Sequence, residues 1–146
     1  MVTYTYKQQI NAPAKRVWDI LWNIDTYRQW TAAFAPGSTI ESDWQVQGRT
    51  RFLDGNGNGM VSTIHAIREP EVLVFEHLGS IMNGVEDTTS DAVKGWAGAQ
   101  ERYYLKEEGG VTTLEVIVDT DPKYKEMMDN GFNKGLETVK TMAEGQ

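Results

Sequence analysis

Cysteine is absent from the 146-residue chain, so disulfide bonds and thiolate chemistry are both excluded. Long apolar segments are also missing, because no stretch approaches the roughly 20 residues that a membrane-spanning helix needs. The first residues, Met-Val-Thr-Tyr-Thr-Tyr-Lys, lack the apolar centre of a signal peptide. From these absences we expect a cytoplasmic protein without a membrane span.

Histidine and positive charge are both scarce. The two histidines, His65 and His77, have no partner at metal-ligand spacing, so no metal and no other cofactor is predicted. Fourteen Lys and Arg stand against twenty-one Asp and Glu, which gives a formal net charge of −7. Such a surface repels phosphate backbones, and we therefore expect no nucleic-acid partner. Nucleophilic hydrolysis is also disfavoured, because the chain has no Gly-x-Ser-x-Gly elbow and too few histidines for a triad.

The residues that are present make an ordinary globular composition, with 40% hydrophobic and 24% charged residues. A chain of this length fits one domain, assigned to residues 1–146, which buries roughly 68–70% of its unfolded surface. Aromatic residues are numerous, with five Trp, six Tyr and four Phe. Because aromatic side chains dominate buried area, most of them are predicted to pack in the core.

The spacing of apolar residues changes twice along the chain. Alternation predicts an outer strand over residues 2–10, after which helical spacing predicts a short helix over 13–22 and a second one capped by Asp25. The dominant signal then becomes strand, over residues 38–42, 48–54, 60–67, 72–78, 99–106 and 111–118. A long helix over 122–144 follows, starting at Asp121 and Pro122. Without alternating crossovers this order predicts an α+β fold with an antiparallel sheet.

Four segments carry a resemblance to a known superfamily. Residues 10–18, Ile-Asn-Ala-Pro-Ala-Lys-Arg-Val-Trp, are similar to the opening of START-like (SRPBCC) proteins. Residues 42–48 resemble the approach to a strand in that family, and residues 71–77 resemble the strand after its proline. Residues 131–140 resemble its closing helix, with Phe132 where the family usually has Trp. The chain is most similar to the branch related to the C-terminal domain of the heat-shock-protein-90 ATPase activator. The resemblance implies a helix-grip fold, in which an antiparallel sheet wraps around a long C-terminal helix and leaves a cavity between them.

The expected function is non-catalytic binding of a small hydrophobic or amphipathic molecule in that cavity. Two alternatives stay open: a co-chaperone-like module that binds a protein partner through its surface, and a cyclase-like or dehydratase-like enzyme that uses His77 or a loop carboxylate as base. A filled interior would favour the first alternative, and polar groups converging in a pocket would favour the second. The residues expected to line the cavity are Trp30, Phe52, Phe75, His77, Trp96, Met128, Phe132 and Leu136.

Residues 54–59, Asp-Gly-Asn-Gly-Asn-Gly, match the first six positions of an EF-hand loop. The twelfth position requires a bidentate Glu but is His65, and the flanking residues indicate strands. Two Asn-Gly pairs between alternating segments are typical of a hairpin, which is the structure predicted here.

Glycines mark two further features. Gly131 and Gly135 lie one turn apart in the long helix, where each costs about 1 kcal/mol relative to Ala. They indicate either a close backbone approach or open space beneath the helix. Residues 79–98 are longer than a simple hairpin loop, and we predict a mobile segment that covers the pocket.

Overall fold

The computed structural model describes residues 1–145. The strands are β1 (Val2–Ile10), β2 (Thr39–Ser42), β3 (Thr50–Leu53), β4 (Gly59–Arg68), β5 (Val72–Met82), β6 (Val85–Asp87), β7 (Gln100–Glu108) and β8 (Val111–Thr120). The helices are α1 (Ala14–Trp22), α2 (Ile24–Thr31), the short α3 (Asp91–Lys94) and the long α4 (Lys125–Glu144), which follows a 3-10 turn over Pro122–Tyr124.

The eight strands form one antiparallel sheet in the order β1-β8-β7-β5-β4-β3-β2, and β6 pairs with β5 beside this path. β1 lies at an edge and pairs with β8 along its whole length, from Val2 opposite Thr120 to Ile10 opposite Thr112. The helices α1 and α2 interrupt the sheet early, and α4 packs against both of them and against β1. The predicted α+β architecture is therefore confirmed.

The main core lies on one face of the sheet, called here the inner face. Alternation along each strand sends every second side chain to that face, as in β5, where Leu73 and Phe75 are fully buried. α4 presents a stripe at helical spacing that includes Phe132, Leu136 and Val139, all buried. The ring of Phe132 stacks on Tyr6 at 4.9 Å. Such an aromatic pair is worth about 0.5–1.5 kcal/mol beyond its buried area.

The two glycines of α4 allow α2 and the turn after it to approach closely. A Cβ on Gly135 would lie 2.9 Å from the carbonyl oxygen of Trp30, and one on Gly131 would lie 2.3 Å from the ring of Phe34. Between the two interpretations drawn from the sequence, the structure shows the close approach. The space beneath this part of α4 is filled by aromatic side chains.

The segment 79–98 contains more regular structure than the sequence predicted. β5 continues past residue 78 to Met82, turns through Asn83 and Gly84, and pairs with β6. α3 follows, capped by Ser90, whose hydroxyl oxygen accepts the N–H of Val93. The strand prediction ended too early because Gly79 has a low strand propensity. Here a glycine is required, since a Cβ at this position would lie 2.0 Å from the carbonyl oxygen of Asp87.

Two helix boundaries also differ from the prediction. Asn23 caps α2 instead of Asp25, because its side-chain oxygen accepts the N–H of Asp25. Helical spacing in the sequence also predicted Phe34 in this helix, but α2 ends at Thr31 and Phe34 lies in the turn that follows. The two boundaries differ from the prediction by two and three residues, close to the range over which helix ends fray.

The loop over residues 54–59 is a β3–β4 hairpin turn, as predicted. One carboxylate oxygen of Asp54 accepts the N–H groups of Asn56 at 2.7 Å and Asn58 at 3.0 Å. The side-chain oxygen of Asn58 accepts the N–H of Asn83 from the β5–β6 turn. Oxygens that could have bound a cation are thus used to hold two neighbouring turns together.

Candidate functional site

A chain of polar side chains crosses the buried inner face from β4 to β7. Ser62 and His77 are opposite each other on β4 and β5, with the Ser62 hydroxyl oxygen 2.7 Å from Nδ1 of His77. Nε2 of His77 lies 3.5 Å from a carboxylate oxygen of Glu101 on β7. The other oxygen of Glu101 accepts a hydrogen bond from the Tyr103 hydroxyl. Four polar groups therefore form one continuous chain within the core.

The carboxyl group of Glu101 meets a different side chain at each oxygen. One oxygen faces the imidazole Nε2 of His77, and the other accepts the Tyr103 hydroxyl. On the opposite edge of the imidazole ring, Nδ1 and the Ser62 hydroxyl share a hydrogen bond. His77 therefore links Ser62 on β4 to Glu101 on β7.

Glu101 affects the pKa of two neighbouring phenols, those of Tyr103 and Tyr27. Burial raises the pKa of Tyr103 well above its ordinary value, and the adjacent Glu101 carboxylate raises it further. Burial also raises the pKa of Tyr27, again with a contribution from Glu101. Both phenols therefore stay protonated at neutral pH, and that of Tyr103 donates its proton in the hydrogen bond to Glu101.

Aromatic rings surround the polar chain, and Trp22 lies at their centre. Its ring is 4.8 Å from that of Tyr103 and 5.5 Å from that of Phe75, both in edge-to-face geometry, and 6.0 Å from that of Trp44. Within residues 1–145, the indole N–H of Trp22 is the one buried side-chain donor or acceptor without a hydrogen-bond partner. Trp44 has a φ of 57°, an unusual backbone conformation for a bulky residue.

Half-buried side chains lie at the end of the sheet near the start of α4, so this end is partly open to solvent. Tyr4, which precedes the buried Tyr6 on β1, is only half-buried. Phe52 on β3 and Met128 in the first turns of α4 are half-buried as well, and both pack against the core. The side chain of Glu101 keeps 20% of its surface exposed at this end. We call the group formed by Phe52, Phe75, His77, Glu101 and Tyr103 the inner-face site.

The eight residues predicted to line a cavity occupy three places in the structure. Phe52, Phe75 and His77 come together in the inner-face site, with the Phe52 ring 4.9 Å from Phe75 and 6.0 Å from His77. A second group packs between α2 and α4 and consists of Trp30, Phe132 and Leu136. The remaining two are half-buried, Trp96 in the turn after α3 and Met128 at the start of α4.

A separate surface groove of about 420 Å³ lies beside the aromatic cluster. Its walls include Trp18, Trp22 and Trp44, and Lys15 bridges the two carboxylates of its rim, Asp19 at 2.7 Å and Glu69 at 3.0 Å. None of the eight predicted residues lines this groove. The groove and the inner-face site share Trp22 as a common wall, since that ring touches Phe75 and Tyr103 on its other side.

Sequence reasoning missed Glu101 and Tyr103 as site residues. A signal for them exists, because Glu101, Tyr103 and Leu105 share one parity of β7 with residues that face the core. A carboxylate on the apolar parity of a strand is an informative exception to burial patterns. The carboxylates in residues 86–91 have local roles instead, as when Glu86 pairs with Arg51 and Arg49.

The arrangement of sheet and helices identifies the fold class of the protein. An antiparallel sheet, two short helices after β1 and a long C-terminal helix laid on the inner face are the helix-grip fold of START-like (SRPBCC) proteins, as the sequence resemblance implied. Residues 11–144 match the family described as Activator of Hsp90 ATPase homolog 1-like protein. The chain belongs to this family.

Solved structures agree on the fold. The Aha1 dimer from Colwellia psychrerythraea is 14% identical with a TM-score of 0.73, covering 99% of this chain and 97% of that one. A protein from Arthrobacter aurescens is 16% identical with a TM-score of 0.71, covering 99% and 87%. DynU16, a protein in the dynemicin biosynthetic locus, is 15% identical with a TM-score of 0.70, covering 99% of this chain and 48% of that one. A comparison with curated protein sequences finds no significant match.

Residues 1–145 lack two further kinds of site. No group of three or more His, Asp or Glu side chains is arranged to hold a metal ion in this part of the chain. None of the described helices combines the length and apolar character needed to cross a membrane.

Proposed function

We propose that the protein binds a small amphipathic molecule at the inner-face site, between the sheet and the N-terminal part of α4. One observation carries the proposal: a partly exposed carboxylate, Glu101, lies in an otherwise aromatic interior at the end of the sheet that solvent reaches. A ligand pocket in a protein combines apolar walls with a few fixed polar groups in this way. Phe52 and Phe75 supply the walls, and His77, Glu101 and Tyr103 supply the polar groups.

The other predicted lining residues have defined parts in this proposal. Met128 borders the opening, and Trp96 lies in the segment that leads into β7, where the Ala99 N–H donates to its carbonyl oxygen. Trp30, Phe132 and Leu136 close the far side by filling the space between α2 and α4. The cytoplasmic location and the single domain expected from the sequence stay part of the proposal.

Binding of a neutral apolar dye tests the proposal. Nile red should bind the wild type, and Phe52→Gln should weaken its binding by about ten- to a hundredfold, because loss of one aromatic contact costs about 1.5–3 kcal/mol. Val85→Gln is the matched control, since it changes an exposed apolar side chain 69% accessible at the tip of the β5–β6 hairpin. Urea midpoints of both variants show whether they remain folded. A wild type that binds no Nile red, and that carries no small molecule in native mass spectrometry, would refute the proposal.

A protein-interaction module is the second candidate, and two observations favour it. The interior beneath α4 is filled at Gly131 and Gly135, as a module that acts through its surface requires. Met82 and Val85 also face each other across the tip of the β5–β6 hairpin, 59% and 69% exposed. Adjacent exposed apolar side chains on a protruding hairpin suit contact with another protein.

The family description suggests which partner to test for this second function. If the chain stimulates the ATPase of an Hsp90-type chaperone, the rate should rise with added protein, and the double variant Met82→Ser, Val85→Ser should reduce that stimulation several-fold. Phe52→Gln is now the control and should leave the stimulation unchanged. An unaltered ATPase rate with the wild type would remove this candidate.

A further inference from the structure

Glu101 differs from the other poorly exposed carboxylates of the protein in what neutralises it. Asp119, with 16% of its side chain exposed, is bound by both terminal nitrogens of Arg102 at 3.2 and 3.0 Å. Glu86, 24% exposed, is paired with Arg51 and Arg49. Glu101 is 20% exposed, and within residues 1–145 its ion-pair partner is His77 alone. The fold thus gives a guanidinium to carboxylates of similar exposure but not to this one.

The contacts that Glu101 makes leave part of its acceptor capacity free. A carboxylate offers about four lone-pair positions. The Tyr103 hydroxyl occupies one, and Nε2 of His77 approaches another at the long distance of 3.5 Å. Neither of these donors is a guanidinium or an ammonium group. A poorly hydrated carboxylate without such a partner attracts a positive ligand group strongly and repels a negative one.

The walls around Glu101 suit the same kind of ligand. The faces of aromatic rings attract cations within about 6 Å of the ring centroid. Phe52 lies 4.9 Å from Phe75, and Phe75 is opposite Glu101 in the pairing of β5 with β7. An ammonium group at Glu101 would therefore meet both a carboxylate and aromatic rings. A carboxylate ligand would meet the same rings and a like charge.

We propose that the inner-face site selects amphipathic cations, such as alkyl or aryl amines in their ammonium form, over alcohols and fatty acids of the same length. The inference rests on the proposed ligand-binding function and names the ligand class for that site. Glu101 accepts hydrogen bonds from the ammonium group, and the hydrocarbon part packs on Phe52. Specificity comes from the Glu101 carboxylate, which has no guanidinium or ammonium partner in the described part of the chain, and affinity comes largely from the apolar walls.

Competition for bound Nile red by three ligands of equal chain length tests the selectivity. Octylamine, octanol and octanoate are titrated below their aggregation concentrations at pH 7. Octylamine should displace the dye at concentrations at least about tenfold lower than octanol, and octanoate should be the weakest, because charge-assisted hydrogen bonds are roughly twice as strong as neutral ones. Glu101→Gln, which is isosteric, should abolish the advantage of octylamine over octanol.

Glu115→Gln is the matched control. Glu115 also lies in the central part of the sheet, but it pairs with Lys7 on the other face, and its variant should keep the preference for octylamine. Octylamine should also shift the imidazole resonances of His77 in the wild type, a readout that does not depend on any variant folding. Equal displacement by octylamine and octanol, or a preference that survives in Glu101→Gln, would overturn the inference and leave ligand binding intact. Failure of the wild type to bind Nile red would overturn the ligand-binding function and this inference with it.

Discussion

Individual glycines decide how closely the long helix approaches its neighbours. Gly135 faces the backbone of Trp30, which cannot rotate away as a side chain can, and Gly131 faces the ring of Phe34. Each glycine weakens the helix by about 1 kcal/mol relative to alanine. The close packing of Trp30, Phe34 and Phe132 that the glycines permit offsets this loss.

Gly135→Ala should therefore destabilise the protein by about 1–3 kcal/mol, because the strain of overpacking exceeds the gain in helix propensity. Gly135→Leu should destabilise it more. Asn133→Ala is the control, since residue 133 is exposed on the same helix and should gain a few tenths of a kcal/mol. Urea denaturation of the three variants provides the measurement. A Gly135→Ala protein as stable as the wild type would mean that open space lies beneath the helix.

For individual residues, the sequence predicts correctly which side of a helix or strand is buried. It does not predict how far that side lies from the surface opposite it. The spacing of Phe132, Leu136 and Gly135 indicates that all three lie on the buried side of α4, and they do. Periodicity contains no information about how far away the opposing surface lies, so it could not distinguish a close approach from an empty space. Glu101 was not predicted as a site residue for a related reason. Alternation along β7 shows which face its side chain lies on, but its contact with His77 depends on β5 and β7 being neighbours in the sheet.

Asp119 shows how one side chain can join several elements. It lies on β8, and its carboxylate accepts hydrogen bonds from Thr3 of β1 at 2.9 Å, from the N–H of Gln100 at 3.1 Å and from Arg102 of β7. Partial burial raises its pKa, but these hydrogen bonds and the Arg102 charge outweigh burial and lower the pKa below its ordinary value. The ionised form is thus favoured in the folded state.

The lowered pKa of Asp119 makes stability depend on pH in a defined direction. The contribution is fully present above the unfolded-state pKa of about 3.9 and is lost as the pH falls through the lower folded-state pKa. Asp119→Asn should destabilise the protein by about 1–3 kcal/mol at pH 7, and the difference from the wild type should shrink below about pH 4. Urea midpoints at pH 7 and pH 3 measure this effect. Glu108→Gln, at the exposed β7–β8 turn, is the control, and an Asp119→Asn deficit of equal size at both pH values would contradict the assignment.

The β3–β4 turn should not respond to calcium. Asp54 and Asn58 already accept backbone N–H groups, and the bidentate ligand of an EF-hand is replaced by His65. Thermal melts of the wild type in millimolar calcium and in chelator should coincide. Asp54→Ala should melt at a lower temperature than the wild type, because the turn loses its hydrogen bonds, and its two melts should also coincide. A rise of several degrees with calcium in the wild type alone would show a specific site.

Helices and strands are predicted reliably where a regular spacing of apolar residues extends over many positions. Prediction is less reliable where glycine interrupts that spacing. The alternation of β1 and the helical spacing of α4 extend over many residues, and both elements are present close to their predicted bounds. Residues 79–98 were read as a loop because Gly79 and Gly84 interrupt the strand pattern. The structure uses these glycines inside a hairpin, where strand pairing supplies what local propensity lacks.

Across the whole molecule, protection against hydrogen exchange should vary with strand position. β8 is paired on both sides, by β1 and β7, and its alternate residues are buried, whereas β6 has three residues and pairs with β5. Backbone amides in residues 111–118 should therefore exchange slowly and those in residues 83–98 rapidly. Exchange monitored by mass spectrometry or NMR measures both. Uniform protection of the two segments would exclude a mobile cover over the inner-face site.

The pairing of β1 with β8 also limits when the sheet can be completed during synthesis. The hydrogen-bonding partner of β1 lies more than a hundred residues later in the chain, since Ile10 pairs with Thr112 and Val2 with Thr120. β2 to β5 can form hairpins as they emerge, but the backbone of β1 stays unpaired until β8 is available. Contacts of such long sequence separation slow folding, because loop closure must precede the gain from pairing. A nascent chain of this protein therefore exposes an unsatisfied strand edge until β8 has been translated.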